Sequence, residues 1–204
     1  MIKVCNFIHD DNKTKDELLE NIEIQKTSFK DAYKIIQILH KCFGIENEQE
    51  ALRQLLYSKA DLDNSVKLVD KRDGNIYGIL IFSDYDITCG SPLKSFNYDL
   101  WFYLSTIKKQ LNGYAFILDK RLRGTKIHKD MLMFNIDYIK QYDLIWLAVE
   151  HTLNTDNYWK RFGFEEILSI DEAKFYVKSF DKKQMLEIFI LKTLSENYEK
   201  DYNK

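Results

Sequence analysis

Proline is nearly missing from this chain: Pro92 stands alone among 204 residues, with only 7 glycines beside it. That scarcity leaves little room for flexible linkers or low-complexity tails. The length and a 45% hydrophobic composition suit one domain with a substantial core. Cysteine is scarce too. Cys5, Cys42 and Cys89 are odd in number and far apart, which argues against a disulfide scaffold or a zinc site and reads as buried or incidental thiols in a reducing compartment. No apolar run approaches the ~20 residues that span a bilayer, and residues 1–7 lack the apolar core of a signal peptide. The expectation is a cytoplasmic protein with no membrane partner. Excess charge is absent as well: Lys+Arg 30 against Asp+Glu 32 gives a formal charge of -2, so no global basic field gathers nucleic acid. Any anion site must be local, and no metal is implied.

What the chain does have is concentrated in residues 113–142. The apolar run Tyr114-Ala115-Phe116-Ile117-Leu118 leads into a turn carrying Lys120, Arg121, Arg123 and Lys126 around Gly124. Residues 127–141 then place apolar side chains at helical spacing. This reads as strand, turn, helix. A helix that starts beside four cations directs unpaired N–H groups and its positive dipole end at the same spot, which suits a phosphate.

Around this centre, residues 2–8 suggest a short strand and 9–20 a polar, mobile connector. A strand is expected over 22–26, then a helix capped by Thr27 or Ser28 and stopped by Gly44, and a second helix over 48–57. Residues 65–70 and 76–83 form a hairpin around Asp73-Gly74-Asn75. A loop follows over 84–95, then an aromatic helix over 96–111. After the centre come a buried strand (144–149), a short helix (154–162), two strands (164–170 and 174–180) and a last helix (184–197). Alternation in the second half implies parallel pairing, and the hairpins imply antiparallel pairing elsewhere.

Arg123-Gly124 at the central turn and Tyr158-Trp159-Lys160-Arg161-Phe162-Gly163-Phe164 after the next strand, set in this element order, resemble the GNAT superfamily of acyl-CoA-dependent N-acyltransferases over about residues 22–180. The resemblance implies an α/β fold: a mixed, mainly antiparallel sheet with a central splayed parallel strand pair, flanked by helices. Residues 1–21 would then be an N-terminal extension, 22–180 the acyltransferase domain with a helical insertion at about 84–112, and 181–204 a C-terminal helix. It implies acetyl-CoA as cofactor and transfer of its acetyl group to a primary amine, on a small molecule or a peptide, by direct attack. The backbones of Ile117, Leu118 and Lys120 would pair with the pantetheine amides, and Arg123, Gly124, Thr125, Lys126, Ile127 and His128 would hold the pyrophosphate. Asn154 would lie near the pantetheine, or simply cap its helix.

Lys126 and His128 occupy two positions where the family has small residues, and Trp159 occupies that of the tyrosine similar in role to a general acid. Tyr158 is then the candidate acid. Glu150 and His151 are candidate bases for the amine proton, or merely end a strand; Asp119 is a further candidate. The helix over 96–111 is either an added core helix or a wall of the acceptor pocket, with Trp101, Phe102 or Tyr103 lining it and Asp84 or Asp86 meeting the amine. The departures keep open a non-catalytic member that acts through a protein partner or as an acyl-CoA-binding module. Exposed aromatic faces on the terminal helices would favour a homodimer.

Overall fold

The computed structural model describes residues 7–150, 156–170 and 173–202. It falls into two compact units, Met1–Asp84 with Gly113–Ile139, and Tyr85–Asn112 with Lys140–Lys204.

In the first unit, α1 (Lys15–Asn21) leads into β1 (Ile22–Lys26), a 3-10 turn (Phe29–Asp31), α2 (Ala32–Phe43), α3 (Glu48–Tyr57), β2 (Ala60–Asp70) and β3 (Ile76–Ser83). β1 pairs antiparallel with β2, with Ile24 opposite Leu68. β2 pairs antiparallel with β3, with Lys67 opposite Ile79. β3 is buried along its whole length, as its near-continuous apolar sequence requires. At Gly78 a Cβ would come within 3.1 Å of Leu118 Cδ1 and 3.3 Å of the Ile117 carbonyl oxygen, so the close approach of the next strand depends on the missing side chain. α2 lays Ile35, Ile36, Ile38 and Leu39 into a core shared with Ala51, Leu55, Ile79, Ile81 and Ile117.

Three expectations change here. Residues 9–20 are not a mobile connector: Thr14 and Glu17 form a reciprocal capping box that starts α1, and Leu18 is fully buried. β2 begins well before residue 65 because an irregularity between Asp61 and Val66 carries the polar Asp63-Asn64-Ser65 through the strand. Cys42 is disulfide-bonded rather than an incidental thiol, while Cys89 is free and exposed; Cys5 lies outside the described residues.

In the second unit, α4 (Ile87–Gly90), α5 (Leu93–Phe96) and α6 (Tyr98–Ser105) precede β4 (Gln110–Leu118), whose first three residues belong here and whose remainder belongs to the first unit. β5 (Leu144–Glu150) follows, then α9 (Asp156–Arg161), β6 (Glu165–Ser169), β7 (Ala173–Lys178) and α10 (Lys182–Tyr202). β7 pairs antiparallel with both β5 and β6. Ile87, Leu93, Leu100 and Leu104 are fully buried with Trp146, Phe175 and Ile188. The helix expected over 96–111 is therefore the shorter core helix α6, which starts after the extended Asn97 and ends at Ser105, before β4 begins at Gln110. Asp86 caps α4 by accepting from the Thr88 amide at 2.7 Å, Trp101 Nε1 donates to the Thr88 carbonyl at 3.3 Å, and Tyr103 donates to Glu187.

Among the described residues the strands form one seven-stranded sheet in the order β1-β2-β3-β4-β5-β7-β6, mostly antiparallel, with β4 and β5 parallel. The connection between that pair holds a 3-10 turn (Lys120–Leu122), α7 (Ile127–Phe134) and α8 (Ile136–Ile139). The single helix expected over 127–141 is thus broken at Asn135, a buried side chain whose amide donates to the Asn64 carbonyl instead of pointing to solvent. No helix among the described residues is long and apolar enough to cross a membrane.

Candidate functional site

β4 delivers the chain to the basic turn through Ile117, which is buried, and Leu118, which is half-buried. The turn then divides into two parts. In the first, Asp119 has no solvent exposure and accepts from the His9 amide at 2.8 Å, the Arg121 amide at 2.9 Å, and Arg121 Nε and Nη2 at 2.9 and 2.8 Å. Burial opposes ionisation of this carboxyl, but the guanidinium and the amides outweigh it and hold it below the usual carboxylate range. Arg121 Nη1 reaches on to Asp11 and the Lys13 carbonyl, at 2.7 and 2.8 Å. The amide of Lys120 donates to the Phe7 carbonyl at 2.8 Å.

This buried ion pair is one end of a network that ties residues 7–13 to the strand ends. Tyr77 on β3 donates to Asp11, and Lys13 Nζ donates to Tyr77 and Asp70 at 3.0 and 2.9 Å and also to Asp73. Burial works against the Asp11 charge, yet the Tyr77 hydroxyl and Arg121 lower its pKa to about 2. Burial and the neighbouring Asp11 push the Tyr77 phenol up to about 12. Nothing in the residue order announces this cluster, since Asp11 and Arg121 lie 110 positions apart and its members form no local motif.

Two expectations are corrected. Asp119 cannot serve as a base: it is buried, paired and held ionised at neutral pH, with no affinity for a proton there. Lys120 cannot offer its N–H to a pantetheine, because Phe7 already takes it.

The second part of the turn is different. Gly124 is exposed with φ +74°, and nothing lies within 4 Å of where a Cβ would stand. Thr125 Oγ1 donates to the Leu122 carbonyl at 2.7 Å and accepts weakly from the Ile127 amide at 3.4 Å. Arg123 spends its amide on the Lys120 carbonyl at 3.3 Å. Among the described residues, the amides of Gly124, Thr125 and Lys126 make no hydrogen bond. Lys126 is the exposed N-cap of α7, and His128 is half-buried in its first turn. The result is a short run of unpaired donors at the positive end of a helix, beside a solvent-facing lysine.

The second unit holds the other candidates. Glu150 ends β5, half-buried and opposite Ala173. Tyr158 lies on α9, edge-on to Trp159 at 4.9 Å and tilted on Phe162 at 5.1 Å. Burial raises its phenol pKa, so it stays protonated at neutral pH as a proton donor must. Trp159 is 3% exposed, packs edge-on against Phe164 at 5.7 Å, and leaves its Nε1 without a hydrogen bond among the described residues. It acts as a packing residue, and the sequence position expected for an acid is filled by hydrophobic bulk. His151 and Asn154 lie outside the described residues. Among the described residues no three His, Cys, Asp or Glu side chains group as a metal site.

Solved structures share this architecture. The GNAT family N-acetyltransferase YhbS of Escherichia coli, in complex with CoA, is 18% identical with a TM-score of 0.54, covering 87% of this chain and 88% of that one. The PaiA N-acetyltransferase of Thermoplasma acidophilum, also in complex with CoA, is 13% identical with a TM-score of 0.53, covering 78% and 99%. The fold is the GNAT fold. A mosquito arylalkylamine N-acetyltransferase-like protein shares it at 14% identity and a TM-score of 0.52, covering 78% of this chain and all of its own. No family model matches the chain, and no curated protein matches it. At these identities the GNAT likeness is one of architecture, and it places the basic turn at the β4-to-α7 connection of that fold.

Proposed function

We propose that the chain is an acyl-CoA-dependent N-acetyltransferase that moves the acetyl group of acetyl-CoA to a primary amine by direct attack. The observation that carries this reading is the run of unpaired amides at Gly124, Thr125 and Lys126 opening α7, within a fold whose solved examples include complexes with CoA. Three amides, a helix dipole and the Lys126 ammonium suit a diphosphate. The left-handed turn at Gly124 lets the backbone come close to it. Arg123, Ile127 and His128 would complete this pyrophosphate loop, and Ile117 and Leu118 would offer backbone edges to the pantetheine.

In the reaction the amine nitrogen attacks the thioester carbonyl, a C–N bond forms, the C–S bond breaks, and the thiolate leaves. One proton must depart from the amine and one must reach the sulfur. Glu150 or His151 is the group of choice for the first, and Tyr158, kept protonated by burial, for the second. Backbone donors can stabilise the oxyanion of the intermediate. The acceptor is an amine on a small molecule or peptide.

A second reading has its own support. Phe7 closes the Lys120 amide and Arg121 is fully occupied by Asp11 and Asp119, so half of the sequence's basic turn serves the fold. That favours a GNAT-fold protein that acts through a protein partner or binds acyl-CoA without turnover. Thermal melting with CoA separates the readings. An enzyme or CoA-binding module is stabilised by about 2.7 kcal/mol when CoA is at a hundredfold its Kd, and release of free thiol from acetyl-CoA in the presence of amines identifies the enzyme. An unchanged melting point at millimolar CoA leaves only the partner-binding reading.

A further inference from the structure

The last helix is apolar on two opposite sides. Its inner side is accounted for: Ile188 is fully buried, Met185 and Leu191 pack on the same core, Glu187 accepts from Tyr103, and Asn97 Nδ2 donates to the Leu191 carbonyl at 3.3 Å. The outer side carries Leu186, Phe189, Ile190 and Leu194, exposed by 58%, 52%, 47% and 51%. Their spacing of three, one and four residues puts them on one stripe about two turns long, pointing away from the core. A helix apolar on both sides is ordinarily covered on both sides. α6, bonded to α10 through Asn97 and Tyr103, adds Tyr98 and Phe102, each 57% exposed and stacked at 6.4 Å.

We propose that this surface is the interface of a two-fold homodimer, with α10 packed antiparallel against the same helix of a second copy and α6 flanking it. The area decides the matter. With apolar side chains of roughly 150–250 Å², the six residues leave roughly 600 Å² uncovered on each chain, at the top of what monomers carry. A pair of chains then covers roughly 1,200 Å², which reaches the size of a specific interface. The stripe is also self-complementary. No charged residue lies on it between Leu186 and Leu194, so its own image meets it without like-charge repulsion. An antiparallel crossing places Phe189 and Ile190 near the axis, where each finds its equivalent, and opposes the two helix dipoles.

Sedimentation velocity of the full chain over a micromolar concentration series tests this. The expected result is a species of twice 24.4 kDa that dissociates on dilution. Ile190→Glu and Leu186→Glu should each weaken the dimer by at least tenfold with an unchanged far-ultraviolet circular dichroism spectrum, because both side chains are exposed within one chain. Lys30→Glu, a charge reversal at an exposed residue of the 3-10 turn Phe29–Asp31, should leave the association constant within about threefold. A wild type that sediments as a monomer throughout, or an Ile190→Glu chain that dimerises as well as wild type, overturns the proposal.

Discussion

Two halves of one short loop, residues 119–122 and 123–128, carry the same kind of charge and put it to different use. In the first half Arg121 is locked between two carboxylates, and the Lys120 amide is closed by Phe7. In the second half Gly124, Thr125 and Lys126 keep their amides open, with Lys126 in solvent. A basic residue offers its charge to a ligand only when no internal carboxylate has claimed it. Here the claim comes from Asp119, two positions away, and from Asp11, 110 positions away.

The largest effect belongs to the first half. Arg121→Ala leaves Asp119 charged and without exposure, so urea unfolding should show a loss of about 3–5 kcal/mol; a loss under about 1 kcal/mol would make this half an ordinary solvated loop. Next comes acid. The carboxyls of Asp11 and Asp119 are depressed in the folded state, so the stability they contribute is fully present above their unfolded pKa near 3.9 and is lost as pH falls through the folded values. The melting temperature should drop steeply between about pH 4 and pH 2. Asp11→Asn should remove about 2 kcal/mol at neutral pH and flatten that slope; an unchanged slope would show that the network is not what acid breaks.

The second half should respond in binding rather than folding. Lys126→Glu should weaken CoA by about tenfold, or about 1.4 kcal/mol, in isothermal titration, with no change in melting temperature. An equal loss of stability would erase the contrast between the halves. The smallest effect is expected for Gly124→Ala. A methyl group meets no neighbour there, so the cost is the left-handed backbone alone, about 1 kcal/mol, seen as a shift in urea midpoint.

Much of this was legible in the chain. The apolar run of β3, the Asp73-Gly74-Asn75 turn, the stop at Gly44 and the order of elements after residue 113 are local patterns, and they led to the right sheet. What failed to show was long-range. The 9–20 segment looked soluble and loose because its charges have partners at Asp70, Tyr77 and Arg121 rather than nearby. Residues 127–141 read as one helix, yet the Asn135 amide serves a carbonyl 71 residues earlier. The polar start of β2 hid a strand because ladder hydrogen bonds, unlike side-chain periodicity, leave no mark in composition.

For the candidate site, the sequence determined which groups come into question: a Gly-bearing cationic turn entering a helix, and a tyrosine beside a tryptophan near a Gly-Phe pair. These follow from residue type and spacing, which backbone geometry translates directly. Only the tertiary structure decided which of those groups remain available. Pairing, burial and the raised or lowered proton affinities of Asp11, Tyr77, Asp119 and Tyr158 depend on what the fold brings alongside, and electrostatic energy depends on distance in space and not on distance along the chain.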